Sequence, residues 1–246
     1  MKRVAILLFL LLVGLPAGAQ ITYFGQGALG SATTTNDPQA ALPASTATDD
    51  IIIVHCYIRD TTNTTVVTDY TEFAQLDTAN VDHRWFWKRH DGSEGTAVCN
   101  RDVSADGYAR AYVFRGVITT GNPWNALGTP EQHTSEPMSV TGITTGAANS
   151  MVVLIDGYAD NNTASAITTA TDPATFTDIY NETTTGEDGS MHIAYAIRTA
   201  AGATGTITLN YSAAFTGGDQ DGVVVLSLAP VPPPADDTIT QTILVH

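Results

Sequence analysis

Basic residues are scarce in this chain of 246 residues: ten Lys and Arg stand against 25 Asp and Glu, a formal net charge of −15. A nucleic-acid binder needs a basic face to displace counterions from phosphates, and so few cations cannot assemble a large one. Cysteine is limited to Cys56 and Cys99, and no metal-ligand spacing recurs around them or around His55 and His83. Catalytic signatures are missing as well: there is no G-x-S-x-G elbow, no H-E-x-x-H and no P-loop. The six histidines (His55, His83, His90, His133, His192 and His246) are scattered without an obvious partner nucleophile. No segment shows a sustained helical period, and beyond the first twenty residues no run is long and apolar enough to cross a bilayer as a helix. What the chain does have is threonine in unusual abundance and 21 glycines, a composition poor for helices and good for strands and turns.

Both ends read differently from the middle. Lys2 and Arg3 precede an apolar run from Val4 to Leu15, and Pro16-Ala17-Gly18-Ala19 supplies small residues before Gln20, the pattern of a secretory signal peptide over 1–19. A retained anchor is the alternative, although about a dozen apolar residues are short for a span of ~20. Removal of Lys2 and Arg3 leaves the mature protein still more acidic and places it outside the cell. At the other end, Pro230-Val231-Pro232-Pro233-Pro234 lacks the N–H groups a sheet ladder needs, so 231–237 reads as a stiff linker. Beyond it, 238–246 reads as a strand-like tail, with Ile239, Ile243 and Val245 on one parity. The globular body is thus 20–230.

Within that body one pattern occurs twice. Asp50-Ile51-Ile52-Ile53-Val54 matches Ser150-Met151-Val152-Val153-Leu154, and Tyr70-Thr71-Glu72-Phe73 matches Phe176-Thr177-Asp178-Ile179. Trp85-Phe86-Trp87-Lys88-Arg89 lines up with Ala194-Tyr195-Ala196-Ile197-Arg198, and Gly95 to Cys99 with Gly205 to Leu209. Asp106-Gly107 and its following strand line up with Asp221-Gly222 and theirs. The order predicts an internal duplication, with copy one at about 49–117 and copy two at about 149–229. Each block is a strand bounded by Gly, Asp, Asn and Thr. Eight to ten antiparallel strands in all predict an all-β, jelly-roll-like β-sandwich in which both copies share one core. Two small sandwiches in tandem are the alternative.

Few residues invite a chemical reading. Cys56 shares parity with Ile52 and Val54, and Cys99 aligns with Leu209, so both face the core and an exported protein would join them as a disulfide. Trp85 and Trp87 share one strand face. Burial is the expected fate of such rings, and a glycan-stacking platform confined to copy one is the alternative. Asp156 and Asp160 sit in one predicted acidic turn and Asp219 and Asp221 in another, oxygen-rich loops of the kind that take calcium, although Asp, Asn and Gly are also ordinary turn residues. With 25 acidic residues, a carboxylate pair for glycoside hydrolysis also stays open.

The block order resembles a family of phage virion and secreted bacterial β-sandwich proteins over about 49–229. The landmarks are Asp49-Asp50-Ile51-Ile52-Ile53-Val54, then Tyr70-Thr71-Glu72, then Phe86-Trp87-Lys88-Arg89 with Gly92-Ser93-Glu94. The copy closes on Phe114-Arg115-Gly116-Val117 and Asn122-Pro123. These landmarks imply a structural role and carry no catalytic residues. The export signal departs from the phage versions and points to a cell-surface or matrix role. The expectation is a non-catalytic extracellular structural or surface-interaction protein that self-associates or decorates a cell, matrix or virion surface. A lectin-like carbohydrate-binding module and a secreted hydrolase are the alternatives; no cofactor is expected beyond the calcium alternative.

Overall fold

The computed structural model describes residues 20–32, 36–60, 64–159, 163–169, 171–173, 176, 178–183, 189–213 and 220–233. Among them every regular element is a strand. The first half supplies β1 (Thr22–Gln26), β2 (Gly30–Ala32), β3 (Gln39–Ala40), β4 (Ile51–Ile58), β5 (Thr71–Asp77), β6 (Asp82–Arg89), β7 (Ala97–Val98) and β8 (Gly107–Arg115). The second half begins with β9 (Trp124–Leu127), β10 (Met138–Val140), β11 (Thr144–Thr145), β12 (Ser150–Tyr158) and β13 (Ala164–Thr169). It ends with β14 (Asp178–Thr183), β15 (Ser190–Arg198), β16 (Gly202–Ala203), β17 (Ile207–Tyr211) and β18 (Asp221–Leu228). No helix of the described residues is long and apolar enough to cross a membrane.

Two large antiparallel sheets dominate. One runs β1-β8-β4-β6-β5, with β2 also paired to β8; the other runs β9-β18-β12-β15-β14. Three small sheets accompany them: β3 with β7, β10-β17-β13, and β11 with β16. The central strands β4, β12 and β18 are buried at every position, which is why their sequences read as continuous apolar runs instead of alternating ones. Alternate side chains of these strands go to different clusters. Ile51, Ile53, Trp85, Tyr112 and Phe114 of the first sheet join Met151, Val153, Ile155, Ile193, Leu226 and Leu228 of the second in one apolar cluster. On the opposite face of the first sheet, Ile52, Val54, Phe86 and Val113 pack with Ala40 and Ala97 of β3 and β7. On the opposite face of the second, Val152, Leu154, Val223 and Val225 pack with Met138, Ile167, Ile207 and Leu209 of the three-stranded sheet. One cluster thus draws on both halves, each half adds an outer cluster of its own, and a smaller one joins Tyr57, Val81 and Tyr108 with Ala159 and Met191.

The pairing scheme runs through both halves in the same order. β1 and β9 each flank the last strand of their half, and each carries a register shift, between Tyr23 and Gly25 and opposite Ser227 and Leu228. Just beyond, Gly27 N donates to Ala111 O at 3.1 Å and Gly128 N to Val225 O at 2.8 Å. Asp49, two residues before β4, and Asn149, one before β12, both take positive φ, 70° and 58°, a conformation that Asp and Asn tolerate better than other side chains. The equivalence therefore reaches back to Thr22 and Trp124, across flanks rich in Gly, Pro and Thr whose short strands show no alternation. These flanks account for most of the strands beyond the eight to ten expected from sequence.

Strand register also corrects the sequence blocks. Cys56 lies opposite Arg84, and Asp156, its counterpart, lies opposite His192. Trp85 therefore corresponds to Ile193, not Ala194, and Trp87 to Tyr195. By the same count Gly107, opposite Ile58, corresponds to Asp221, opposite Tyr158. A slip of one residue moves a strand's side chains to the other face, and the shared cluster holds Trp85 and Ile193 while Ala194 lies in an outer one. The tryptophans of the first half are thus matched by large apolar residues in the second.

Cys56 and Cys99 form a disulfide across a sequence separation of 43, with their Cα atoms 5.9 Å apart, tying β4 to the chain just after β7. Reducing it should lower the unfolding free energy by roughly 2–4 kcal/mol, read as the shift in urea midpoint with and without dithiothreitol. Ile53→Ala, in the shared cluster, should cost about 2–5 kcal/mol and leave a single cooperative transition by both tryptophan fluorescence and circular dichroism. Two separated transitions would show that the halves do not depend on that cluster.

Candidate functional site: a buried histidine and carboxylate layer

Strand pairing places three of the dispersed histidines, and contact with Asp221 adds His133. On the inner face of the first sheet, His55 of β4 lies opposite Trp85 of β6, and His83 of β6 lies opposite Tyr57 of β4. His55 Nε2 and His83 Nδ1 are 3.1 Å apart, so one ring donates and the other accepts. Both rings stack on Trp85, with centroids 4.9 and 5.6 Å from the indole. Arg110 of β8, opposite His55, is buried beside them. Across the interface stand Gly157 and Gly222, register partners on β12 and β18. A Cβ at Gly157 would lie 2.9 Å from His55 Cε1, and one at Gly222 would lie 2.3 Å from His83 Cδ2. The imidazoles occupy the space that any larger residue there would need. Burial holds both histidines well below the ordinary range, His83 down to about 3; for His55 the neighbouring His83 and His192 add to the effect. Both are neutral at pH 7.

Behind the glycines, on the other face of the second sheet, lies a second polar group. Asp156 of β12 and His192 of β15 are register partners, with Asp156 Oδ2 3.2 Å from His192 Nδ1. The Tyr211 hydroxyl of β17 reaches the same nitrogen at 3.2 Å. Next to them, Asp221 of β18 accepts from the His133 backbone N–H, and the His133 Nδ1 approaches its other oxygen at 3.5 Å. Glu131 completes the row, 3.6 Å from His133 Nε2. Burial raises the Asp156 carboxyl, opposed by its bond to His192. Burial, opposed by the bond to His133 and reinforced by the Asp156 charge, raises Asp221 to about 7. The hydrogen bond to Asp221 raises His133 despite its burial.

The two halves thus fasten a large sheet to its outer layer at the same height by different chemistry. Cys56 does so through the disulfide; Asp156, its counterpart, does so through His192 and the β17 phenol.

The landmarks of the family resemblance also close on one another. Arg115 Nε and Nη2 hold the two oxygens of Asp50 at 2.8 and 2.7 Å, joining the start of β4 to the end of β8 in a bidentate pair. Asp50 Oδ2 accepts from Ala47 N at 2.8 Å, and Arg115 lies over the Phe24 ring at 4.2 Å.

Several expected site residues stand elsewhere than expected. Asp156 and Asp221 belong to no solvent loop: they are strand residues, fully buried and paired with histidines. Asp-Gly inside an apolar run reads as a turn, but here the glycines mark the close approach of the facing sheet. Their calcium-loop companions Asp160 and Asp219 lie outside the described residues, as do 1–19 and the tail residues Ile239, Ile243 and Val245. Among the described residues no group of three or more His, Cys, Asp or Glu side chains is set to hold a metal ion. Trp85 is fully buried and has no face for a sugar ring, and Trp87 is half-buried with its ring edge-on to Trp124 at 5.4 Å, so the pair is not an exposed platform. No protein family, curated protein or solved structure matches this chain.

The layer has a pH signature with two opposing parts. Histidines depressed on folding contribute stability that is complete above pH 6.5 and is lost as pH falls from there toward 3. A carboxylate raised on folding contributes the opposite way: its stability is present below 3.8 and lost as pH rises toward 7. Asp221→Asn removes that opposing carboxylate and keeps a side chain able to accept the His133 N–H. Between pH 6 and pH 4.5 the variant should lose stability more steeply on acidification than the parent, by roughly 1.4 kcal/mol per pH unit, in urea titrations. Parallel slopes would show that Asp221 titrates as an ordinary carboxyl.

Proposed function

We propose that this chain is a non-catalytic extracellular structural protein, a duplicated β-sandwich that presents its outer surface to partners and to further copies of itself. The observation that carries the reading is the enclosure of the groups best suited to chemistry. His55, His83, Asp156 and Asp221 are 0% exposed and His192 is 1% exposed, all between sheets where they join layers. A hydrolase built on the Asp156 and Asp221 carboxylates would need them in a cleft, and they are in the interior. The matching pairing schemes of the two halves support the duplication, and the apolar cluster drawn from both large sheets supports the sandwich. The disulfide, the acidic composition and the signal-like start support an extracellular setting.

Self-association rests on the tail. After β18 the chain runs beside the link between the halves, where Ile118 N donates to Ala229 O at 2.9 Å, and it then continues into the proline-rich stretch. A strand over 238–245 would span about 26 Å at ~3.3 Å per residue, enough to line a sheet edge of another copy. Head-to-tail addition of this kind propagates. Residues 20–246 should run as a concentration-dependent series of assemblies by size-exclusion chromatography with light scattering, and residues 20–233 as a monomer with unchanged circular dichroism. A full chain that stays monomeric, or a truncated one that assembles equally, overturns the tail-mediated reading.

A further inference from the structure

We infer that the first half carries a saccharide-binding pocket on its outer face, built around Tyr70, Lys88 and Glu94. A cavity of about 340 Å³ opens between the end of β6, the turn before β5 and the loop leading into β7. That volume is at the small end of ligand sites and suits one or two pyranose rings. Lys88 Nζ contacts Glu94 Oε1 at 2.9 Å and stands over the Tyr70 ring, 5.9 Å from its centroid. The other oxygen, Glu94 Oε2, accepts from Asp91 N at 2.9 Å, so the carboxylate is fixed in place. The Tyr70 hydroxyl is buried and makes no hydrogen bond within the protein, and the buried Glu94 Oε1 accepts from Lys88 Nζ. Ser93, Gly95 and Thr96 form an exposed rim.

The second half serves as an internal control. Lys88 and Ala196 are counterparts, opposite Ile52 and Val152, and Glu94-Gly95 corresponds to Thr204-Gly205. There Ala196 is buried, and Thr204 is fully enclosed with its hydroxyl accepting from Ile143 N at 3.0 Å. Phe176 packs in the apolar cluster where Tyr70 only partly does. The fold therefore does not require an ion pair or an opening at this position; the first half has both. Of this set the Lys88 ammonium donates to ligand hydroxyl oxygens, Glu94 Oε1 accepts from one hydroxyl, since Oε2 is taken by Asp91 N and lies 3.5 Å from His90 Nε2, and the Tyr70 phenol supplies a further donor. Lys88 and Glu94 offset one another and Asp69 of the lining adds a negative charge, so the set disfavours an anionic ligand and fits a neutral hexopyranose unit of a surface glycan.

The pocket deepens the surface-interaction side of the proposed function and is independent of self-assembly. The probes are the methyl pyranosides of glucose, galactose, mannose and N-acetylglucosamine, each at about 10 mM, a concentration suited to weak single-site binding. Saturation-transfer and amide-shift NMR on residues 20–246 should show at least one of them binding, with shifts confined to the 68–70 and 93–96 amides. Glu94→Gln should weaken that binding by about tenfold or more, as loss of a charged acceptor predicts. Thr96→Trp, on the exposed rim, should block it without touching a buried group. Absence of binding by all four probes, shifts mapping elsewhere, or binding unchanged in both folded variants overturns the proposal. The assembly measurement on the same samples separates that failure from failure of the structural reading.

Discussion

Burial of both faces of two large sheets is the constraint on which the rest of this structure depends. A sheet covered on one side only can alternate apolar and polar residues, but β4, β12 and β18 are enclosed on both sides and cannot place a solvated side chain anywhere along their length. Every polar group on these strands must find its partner inside the protein. His55 meets that demand through His83, and Asp156 through His192. Gly157 and Gly222 follow from the same constraint, because two rings on one sheet need matching recesses on the other. The histidine and carboxylate layer is thus a consequence of closing the interface around polar side chains, and burial is the main cause that lowers its histidines His55 and His83 and raises its carboxyls Asp156 and Asp221.

The two halves make an instructive comparison because backbone pairing is held constant while side chains vary. At the level of Cys56 and Asp156 one half uses a covalent bond and the other a hydrogen-bonded His and Tyr pair to reach the outer layer. The disulfide acts in large part by restricting the unfolded chain, whereas the polar network depends on protonation state. The redox dependence therefore sits in the first half, while both halves carry titrating groups, His55 and His83 in the first and Asp156 and Asp221 in the second.

Much of the fold was legible in the sequence, and the misses have definite causes. The all-β class followed from composition and from strand-length apolar runs, and the Cys56–Cys99 pair followed from parity with Ile52, Val54 and Leu209. The block alignment failed by one residue at Trp85 because it matched Arg89 to Arg198. Both are the basic ends of their strands, but they are not register partners of equivalent residues: Arg89 lies opposite Ile51 and Arg198 opposite Ser150. The flanking strands at Thr22 and Trp124 were missed because two- to five-residue strands with Gly and Pro give no period. The histidine cluster was invisible for a different reason. Its members are distant in sequence, and only the pairing of β4 with β6 and of β12 with β15 and β18 brings them together.

The halves differ in both their inner and their outer layers. At the centre of the inner faces equivalent positions hold the same kind of residue, Ile53 with Val153, Tyr112 with Leu226 and Trp85 with Ile193, whereas toward the glycine recesses they diverge, His55 with Ile155, His83 with Met191 and Tyr57 with Gly157. Edges are similarly conservative: β1 and β9 carry the same register shift, and β5 places Glu72 and Asp77 around Arg84 at 3.8 and 2.8 Å, a charged edge that discourages strand addition. Outside these limits the two halves diverge. The first has a two-stranded outer sheet of two residues per strand, a disulfide and an open polar pocket; the second has a three-stranded outer sheet over a filled apolar cluster. Packing against the opposing sheet couples the inner positions in pairs, so that rings on one side are matched by glycines on the other, and the outer layers are free of that coupling.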